Sequence, residues 1–343
     1  MKNYIIKLKF TSPVRFGPDR AGAGLTLGNE TCHSDTFFSA LCIEWLKIFG
    51  EAEMNEMVRW AEAGHFILSS LLPWKGQELF LPKPVLFLEK SNTRKNEPAY
   101  GKTLKKLKWI PASAFDSYIR FLKEGGELPF SQEGNKAWSE VLIARAAIAR
   151  DKETMPYVIS AYRFPFGEAE RHHQPKEPLP ETGLYFILKI DSEELMDKLM
   201  IVLESLGLTG IGGKKTTGLG RFELAEEPIE FDSNSGLYDS DTALGKMLDR
   251  TGEFYMSLSV VAPSEEELEA FEPQESFYTL VYRSGFVESA SYWPSPIKRR
   301  PVAMFGTGSC FKAPLCGRIL DLSSGGNHPV YRYGKGMYLG VKI

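Results

Sequence analysis

Alternating apolar and polar positions open the chain. In NYIIKLKF (residues 3–10), Tyr4, Ile6, Leu8 and Phe10 share one face and Ile5, Lys7 and Lys9 the other. Period two over eight residues predicts a half-buried strand. After a Gly/Pro-rich loop, HSDTFFSALCIEWLKIFG brings Phe37, Leu41, Trp45 and Ile48 back at helical spacing. Ser34 or Asp35 is the expected cap and Gly50 the expected stop. Residues 66–90 alternate apolar runs with turn signals and predict a strand pair around LPWKGQELFLPKP.

From 91 to about 182 the pattern loosens, and this interval reads as a large insertion with a helix expected near Trp138–Arg150. Regularity returns in GLYFILKI (183–190), a strand. The helix that follows carries a stripe of Leu195, Leu199, Val202, Leu203 and Leu206, with Asp191 and Glu194 at capping-box spacing and Gly207 at the expected C-cap. GRFEL then reads as a short strand. Residues 225–245, acidic and turn-rich, read as a connection, beyond which EFYMSLSVVA and SFYTLVYRSGF predict strands and SEEELEAF a short helix. Without its insertion, the first part reads strand–helix–strands–helix–strand, the ferredoxin-like arrangement. The expected fold class is therefore α+β: two ferredoxin-like (RRM-like) βαββαβ domains, 1–225 with an insertion at about 91–182, and 226–343.

Composition narrows the function classes. Hydrophobic residues make up 43% and charged residues 25% of the 343, and 41 Lys+Arg against 44 Asp+Glu give a net charge of −3. No global field draws the chain to a polyanion, so any such site must be local. Cys32, Cys42, Cys310 and Cys316 have neither zinc nor disulfide-framework spacing. With no signal-peptide core and no run of about 18 apolar residues, the chain reads as reduced, cytoplasmic and away from membranes. No metal or cofactor is expected.

The loop GLTGIGGKKTTGLGRF (207–222) holds six glycines, three threonines, Lys214, Lys215 and Arg221, and no acid. It is not a Walker A loop, because Gly213 stands where that motif needs Lys, and it follows a helix rather than a strand. One reading is a flexible turn before an edge strand. The other is a close-approach site for an extended sugar-phosphate backbone, held by amides, hydroxyls and cations. A second basic cluster, Arg94, Lys95, Lys102, Lys105, Lys106 and Lys108, lies with Tyr100 and Trp109 in the insertion. It suits a single-stranded nucleic acid or a solvated loop equally. PIKRRP (296–301) is a shorter cluster. HSDT (33–36) offers His33 as a general base with Asp35 to orient it, or a helix start with a neighbouring histidine.

Taken together, FTSPVRFG, HSDTFFSALC and GIGGKKTTGLGRF resemble the RAMP superfamily of CRISPR effector proteins. The tail FGTGSCF…GRILDL…HPVYRYGKGMYLG narrows the resemblance to the type III-A (Csm) subunit that caps the 5′ end of the CRISPR RNA (crRNA). That resemblance implies a non-catalytic RNA-binding scaffold. Its partners would be the crRNA 5′ handle, the large polymerase-like effector subunit, the backbone RAMP subunit and, indirectly, target RNA. It also implies a projecting thumb that interrupts the guide–target duplex. By position, Gly210, Gly212, Gly213, Lys214, Lys215, Thr216, Thr217, Gly218 and Arg221 would hold the handle. Arg15 and Phe16 of the Ser12–Phe16 loop, His33 and Ser34 would lie nearby, with YRYGKG (331–336) completing the pocket. Lys105 and Lys106 belong to the candidate thumb or RNA channel at 91–109. Since related RAMP proteins include ribonucleases, a metal-independent crRNA-processing endoribonuclease using His33 and Asp35 is the alternative.

Overall fold

A computed structural model describes residues 1–18, 24–87, 104–131, 138–149, 152–164, 180–287, 289, 292–295 and 297–343. Its centre is strand β1 (Lys2–Phe10), which pairs antiparallel with β8 (Thr182–Ile190), β9 (Phe222–Leu224) and β10 (Ile229–Phe231). On its far side β8 pairs with β2 (Phe66–Leu68) and β3 (Leu72–Lys75). The sheet continues through β4 (Glu78–Pro82) to β5 (Trp109–Pro111). Every pairing is antiparallel, and the sheet runs past residue 225 into β10.

Both faces of this sheet are covered. Ile6, Leu8 and Phe10 of β1 pack under helices α1 (Ser34–Phe49) and α2 (Glu51–Ala63). The opposite face carries Ile5, Tyr185 and Ile187, covered by helix α3 (Phe115–Glu124) and strand β11 (Phe254–Ser257) among others. A sheet buried on two faces needs near-continuous apolar strands, and in β8 only Lys189 escapes full burial. This corrects the half-buried reading of β1. Its Lys7 is 2% exposed, paired with Glu226 at 2.7 Å and lying over the rings of Trp74 and Tyr238.

The N-cap of helix α1 is His33, not Ser34 or Asp35, and His33 makes no side-chain capping bond. Phe37, Phe38, Leu41 and Trp45 are fully buried, and at about 1.5–3 kcal/mol each their packing outweighs a missing cap worth about 1. Ile48, expected on that stripe, is exposed. Helix α4 (Glu193–Thr209) covers the same face and is capped by Ser192, whose Oγ accepts from Leu195 N at 3.2 Å. That displaces the Asp191–Glu194 box expected from spacing. Its C-cap is Gly210, three residues beyond the glycine expected there. Gly207 is instead buried inside the helix, where a Cβ would sit 2.4 Å from Phe222 O. It lets α4 close on β9.

Two further expectations fail. The helix expected near Trp138–Arg150 is strand β6 (Ser139–Ala149), paired antiparallel with β7 (Lys152–Arg163) in a ribbon of its own. The ribbon's base joins the body, where Val14 and Tyr162 exchange backbone bonds at 2.8 and 2.7 Å and Ser160 N donates to Leu25 O at 3.0 Å. The connection read at 225–245 contains β10 and the start of helix α5 (Asp239–Asp249), whose Leu244 and Met247 are core residues.

The carboxyl-terminal part comprises helix α6 (Glu265–Glu269), β12 (Leu280–Arg283), β13 (Val302–Phe305), β14 (Cys310–Phe311), β15 (Leu320–Asp321), β16 (Tyr331–Arg332) and β17 (Tyr338–Val341). Strand β11 sits between β14 and β17, and β12 pairs with β13. The chain is thus mixed α+β with antiparallel sheets. Its carboxyl-terminal part is stitched to the first sheet's loops: Ser70 N donates to Leu258 O at 2.8 Å and Leu68 N to Tyr333 Oη at 2.8 Å.

Candidate nucleic-acid interface at the glycine loop

The loop after α4 is locked onto residues 11–16. Gly213 N donates to Arg15 O at 2.8 Å, Gly220 N to Pro13 O at 2.9 Å, and Arg221 N to Ser12 Oγ at 2.9 Å. Ile211 N closes the loop on Gly220 O at 2.9 Å. Positive φ at Gly210, Gly212, Gly218 and Gly220 turns the chain, and a Cβ on Gly212 or Gly220 would lie 2.5 Å from Arg15 O or 1.9 Å from Ile211 O. These glycines therefore serve turns and backbone contact within the protein. The amides of Gly210, Ile211, Gly213, Thr217, Gly218, Gly220 and Arg221 are all bonded internally. The amide cradle expected from the sequence is largely consumed by the fold.

What remains for a ligand is a crown of side chains. Lys214, Thr216, Thr217 and Arg221 are exposed and Lys215 is half-buried. Lys214 adopts φ 65°, the one positive φ at a non-glycine among the described residues. An L-residue held there costs about 1–2 kcal/mol, and such strain collects where geometry serves function. Its ammonium lies 5.3 Å from the ring centroid of Tyr157 on β7, which brings the ribbon against the loop. Because α4 arrives C-terminus first, its dipole offers nothing to an anion. The positive potential comes from the side chains. Glu223, the nearest acid in sequence, is paired with Lys9 at 3.5 Å.

Several predicted site residues are placed otherwise. Phe16 is 3% exposed within the core, so its ring is closed to a base. Arg15 is buried, and its Nη2 donates to Leu27 O at 3.0 Å and Leu25 O at 3.4 Å, bracing the loop from beneath. Ser34 is buried, its Oγ accepting from Val260 N at 3.1 Å. Lys105 and Lys106 are exposed on a helical turn beside β5, away from the glycine loop in the sheet order, while Leu104 and Leu107 pack against the core. Arg94, Lys95, Tyr100 and Lys102 lie outside the described residues. In the tail, Tyr333 and Arg332 are buried rather than pocket-lining.

Asp35 takes its strongest partners from two arginines, and His33 adds a smaller electrostatic contribution that also lowers its pKa. Asp35 is buried and accepts from Arg283 Nε at 3.0 Å and from Arg332 Nη1. Burial pushes its pKa up, but the two guanidiniums outweigh that and hold it at about 2. Arg283 also reaches Thr36 Oγ1 at 2.7 Å. This carboxylate joins α1 to β12 and β16, and sequence spacing could not find partners 248 and 297 residues away. Among the described residues no group of three or more His, Cys, Asp or Glu is placed to hold a metal. No helix among them is long and apolar enough to cross a membrane.

Comparison with known proteins decides the family. The chain is 31% identical over 319 residues to the "CRISPR system Cms protein Csm4" of Mycobacterium tuberculosis, covering 93% of this chain and 92% of that one. The chain belongs to the Csm4 family. As a Csm4-family member it is a RAMP-type subunit of the type III-A Csm group. The Csm4 of Streptococcus thermophilus is 25% identical over 319 residues, covering 91% of this chain and 92% of that protein. The model of the CRISPR Csm4 C-terminal domain matches residues 250–341, which include Arg283 and Arg332 but not the glycine loop. Among solved structures, the fold is shared with a chain of the Csm3–Csm4 subcomplex of the type III-A interference complex, at TM-score 0.60, 19% identity and 99% coverage of both chains. A chain of the Csm1–Csm4 cassette in complex with cA4 gives TM-score 0.59 at 19% identity, covering 100% of this chain and 99% of that one.

Proposed function

We propose that this Csm4-family subunit holds the 5′ handle of the crRNA at the glycine-loop crown without cutting it, in the cytoplasm, bridging the large polymerase-like subunit to the backbone subunit. The observation that carries this reading is the crown itself: Lys214, Lys215, Thr216, Thr217 and Arg221 project from a loop with no acid, fixed rigidly by its glycines. A fixed constellation of cations and hydroxyls suits a defined backbone path rather than diffuse charge attraction. The bridging role is supported by relatives of known structure, which are complexes of Csm4 with Csm1 and of Csm4 with Csm3. The strand order β9–β1–β8–β3, with α1 and α4 on one face, supports a ferredoxin-like first domain.

We assign the implied thumb to the β6–β7 ribbon rather than to residues 91–109. The ribbon stands on Val14 and Tyr162, exposes Leu142, Ile148, Met155 and Val158, and meets Lys214 through Tyr157. Apolar side chains on a projecting ribbon suit insertion into a stacked duplex. The non-catalytic reading is supported by Asp35, whose Oδ2 accepts from two arginines.

The test is RNA binding over a salt series. The chain should prefer RNA carrying the repeat-derived handle to a scrambled RNA of equal length. Replacing Lys214, Lys215 and Arg221 with Ala should flatten the slope of log affinity against log salt by about 0.7 per lost phosphate contact, about 2 in all. Equal affinity for both RNAs would refute handle recognition. Site-specific cleavage by the wild type that disappears in His33→Ala would refute the scaffold reading.

A further inference from the structure

Strands β12 and β13 form a hairpin whose two faces have opposite character. Arg283 points inward to Asp35 and Val281 packs into a small core, while the alternate positions Leu280 and Tyr282 point out. Tyr282 is 63% exposed, Phe286 53% and Trp293 43%. These are large rings that a folded chain ordinarily covers. The hairpin continues past the ladder, with Val287 N donating to Ile297 O at 3.0 Å and Arg299 N to Gly285 O at 2.8 Å. Phe286 is bridged directly to Lys298, whose ammonium lies 5.8 Å from the ring centroid.

Charge identifies the partner. Residues 280–300, which span the hairpin's turn, contain Arg283, Lys298, Arg299 and Arg300 against a single acid, Glu288, in a chain whose net charge is −3. Lys298 and Arg300 are exposed, and Asp321 is close enough to Arg300 to feel its charge. Outward rings interleaved with cations are the arrangement on which single strands bind, bases stacked on rings and phosphates on cations. We propose that the outer face of the β12–β13 hairpin is a second platform for single-stranded RNA, separate from the glycine loop. Tyr282 and Phe286 stack bases and Lys298 and Arg300 pair with phosphates. Because every base has a π-face, this platform tolerates sequence, whereas the glycine-loop crown reads a defined path. The inward Arg283 fixes the hairpin's attitude through Asp35, so the platform is anchored to the start of α1.

The probe is a 12-nucleotide single-stranded RNA without handle sequence, bearing 4-thiouridine, titrated against the full chain by fluorescence anisotropy and then photocrosslinked. Wild type should crosslink within residues 280–300, and should still do so when Lys214, Lys215 and Arg221 are Ala. The latter result separates this site from the glycine-loop reading. Tyr282→Ala with Phe286→Ala should weaken binding by roughly 5- to 150-fold per stacked ring, while Tyr282→Phe keeps it. Lys298→Ala should flatten the salt slope by about 0.7. Each changed side chain is exposed, so the melting temperature should hold and serves as the folding control. Unchanged affinity in the double variant together with no crosslink in 280–300 overturns the proposal. So does a double variant that binds RNA normally but fails to assemble with partner subunits, which would make this face a protein interface.

Discussion

Replacing Asp35 with Asn removes the charge that two buried guanidiniums share and leaves the shape nearly unchanged. Arg332 is buried and the Arg283 side chain nearly so, and both reach the same carboxylate oxygen. A carboxyl held at about 2 against an ordinary 3.8 stabilises the folded chain by roughly 2–3 kcal/mol, at about 1.36 kcal/mol per pH unit. Removing it costs more than that linkage alone, because two largely buried guanidiniums lose the carboxylate oxygen they share. Breaking a buried ion pair from one side typically costs about 3–5 kcal/mol. At about 2–4 °C per kcal/mol, the melting temperature should fall by roughly 6–20 °C. The pH dependence follows from the depressed pKa. The stabilisation is fully present above about pH 4, is lost as pH falls towards 2, and is absent from the Asp35→Asn profile. Thermal melts of both chains between pH 2 and 7 measure this, with Asp35→Asn/Arg332→Met expected to recover part of the loss. A variant as stable as wild type at pH 7, with the same acid limb, would show that the network is not what joins the two parts.

Two glycine substitutions should separate packing from conformation in the loop. Gly220→Ala places a Cβ 1.9 Å from Ile211 O at φ 77° and should destabilise the chain and abolish handle binding together. Gly218→Ala, at φ 85° with open space around it, should cost only about 1–2 kcal/mol and keep binding. Equal melting temperatures for the two variants would refute the close-packed loop. Replacing residues 146–156 with an Asn-Gly turn retains the Arg145–Tyr157 register pair and, among the described residues, removes none that belongs to the core. Its melting temperature should stay within about 2 °C of wild type while guide–target engagement in the assembled complex is impaired, and an aggregated product would return the ribbon tip to the core.

What the sequence made legible followed the strength of local pattern. β1, α1 and α4 were readable because four or five large apolar residues recur at one period, and their packing sets where those elements form. The ribbon was misread because SEVLIARAAIA combines helix-favouring alanines with Val141 and Ile143 in alternation. Pairing with β7, not intrinsic propensity, decides that contest. Lys7 made β1 look half-solvated, since nothing local reveals that Glu226, Trp74 and Tyr238 converge on its ammonium.

The candidate site divides along the same line. The cations of 214–221 could be named from composition alone, because exposure and charge are local properties. The role of the glycines could not, since an amide is free for a ligand only if no carbonyl of the fold claims it. Pro13 and Arg15, about 200 residues upstream in the chain, supply those carbonyls. Asp35 shows the same limit from the opposite direction. Beside His33 in sequence it reads as half of an acid–base pair, and in the fold it belongs to Arg283 and Arg332. A site residue becomes readable from sequence when its partner is solvent or ligand, and unreadable when its partner is another element of the fold. On that ground the exposed rings of Tyr282 and Phe286 stand with Lys214 and Arg221. They are side chains that the fold presents outward and leaves unburied, and therefore the positions where substitution should change binding before it changes stability.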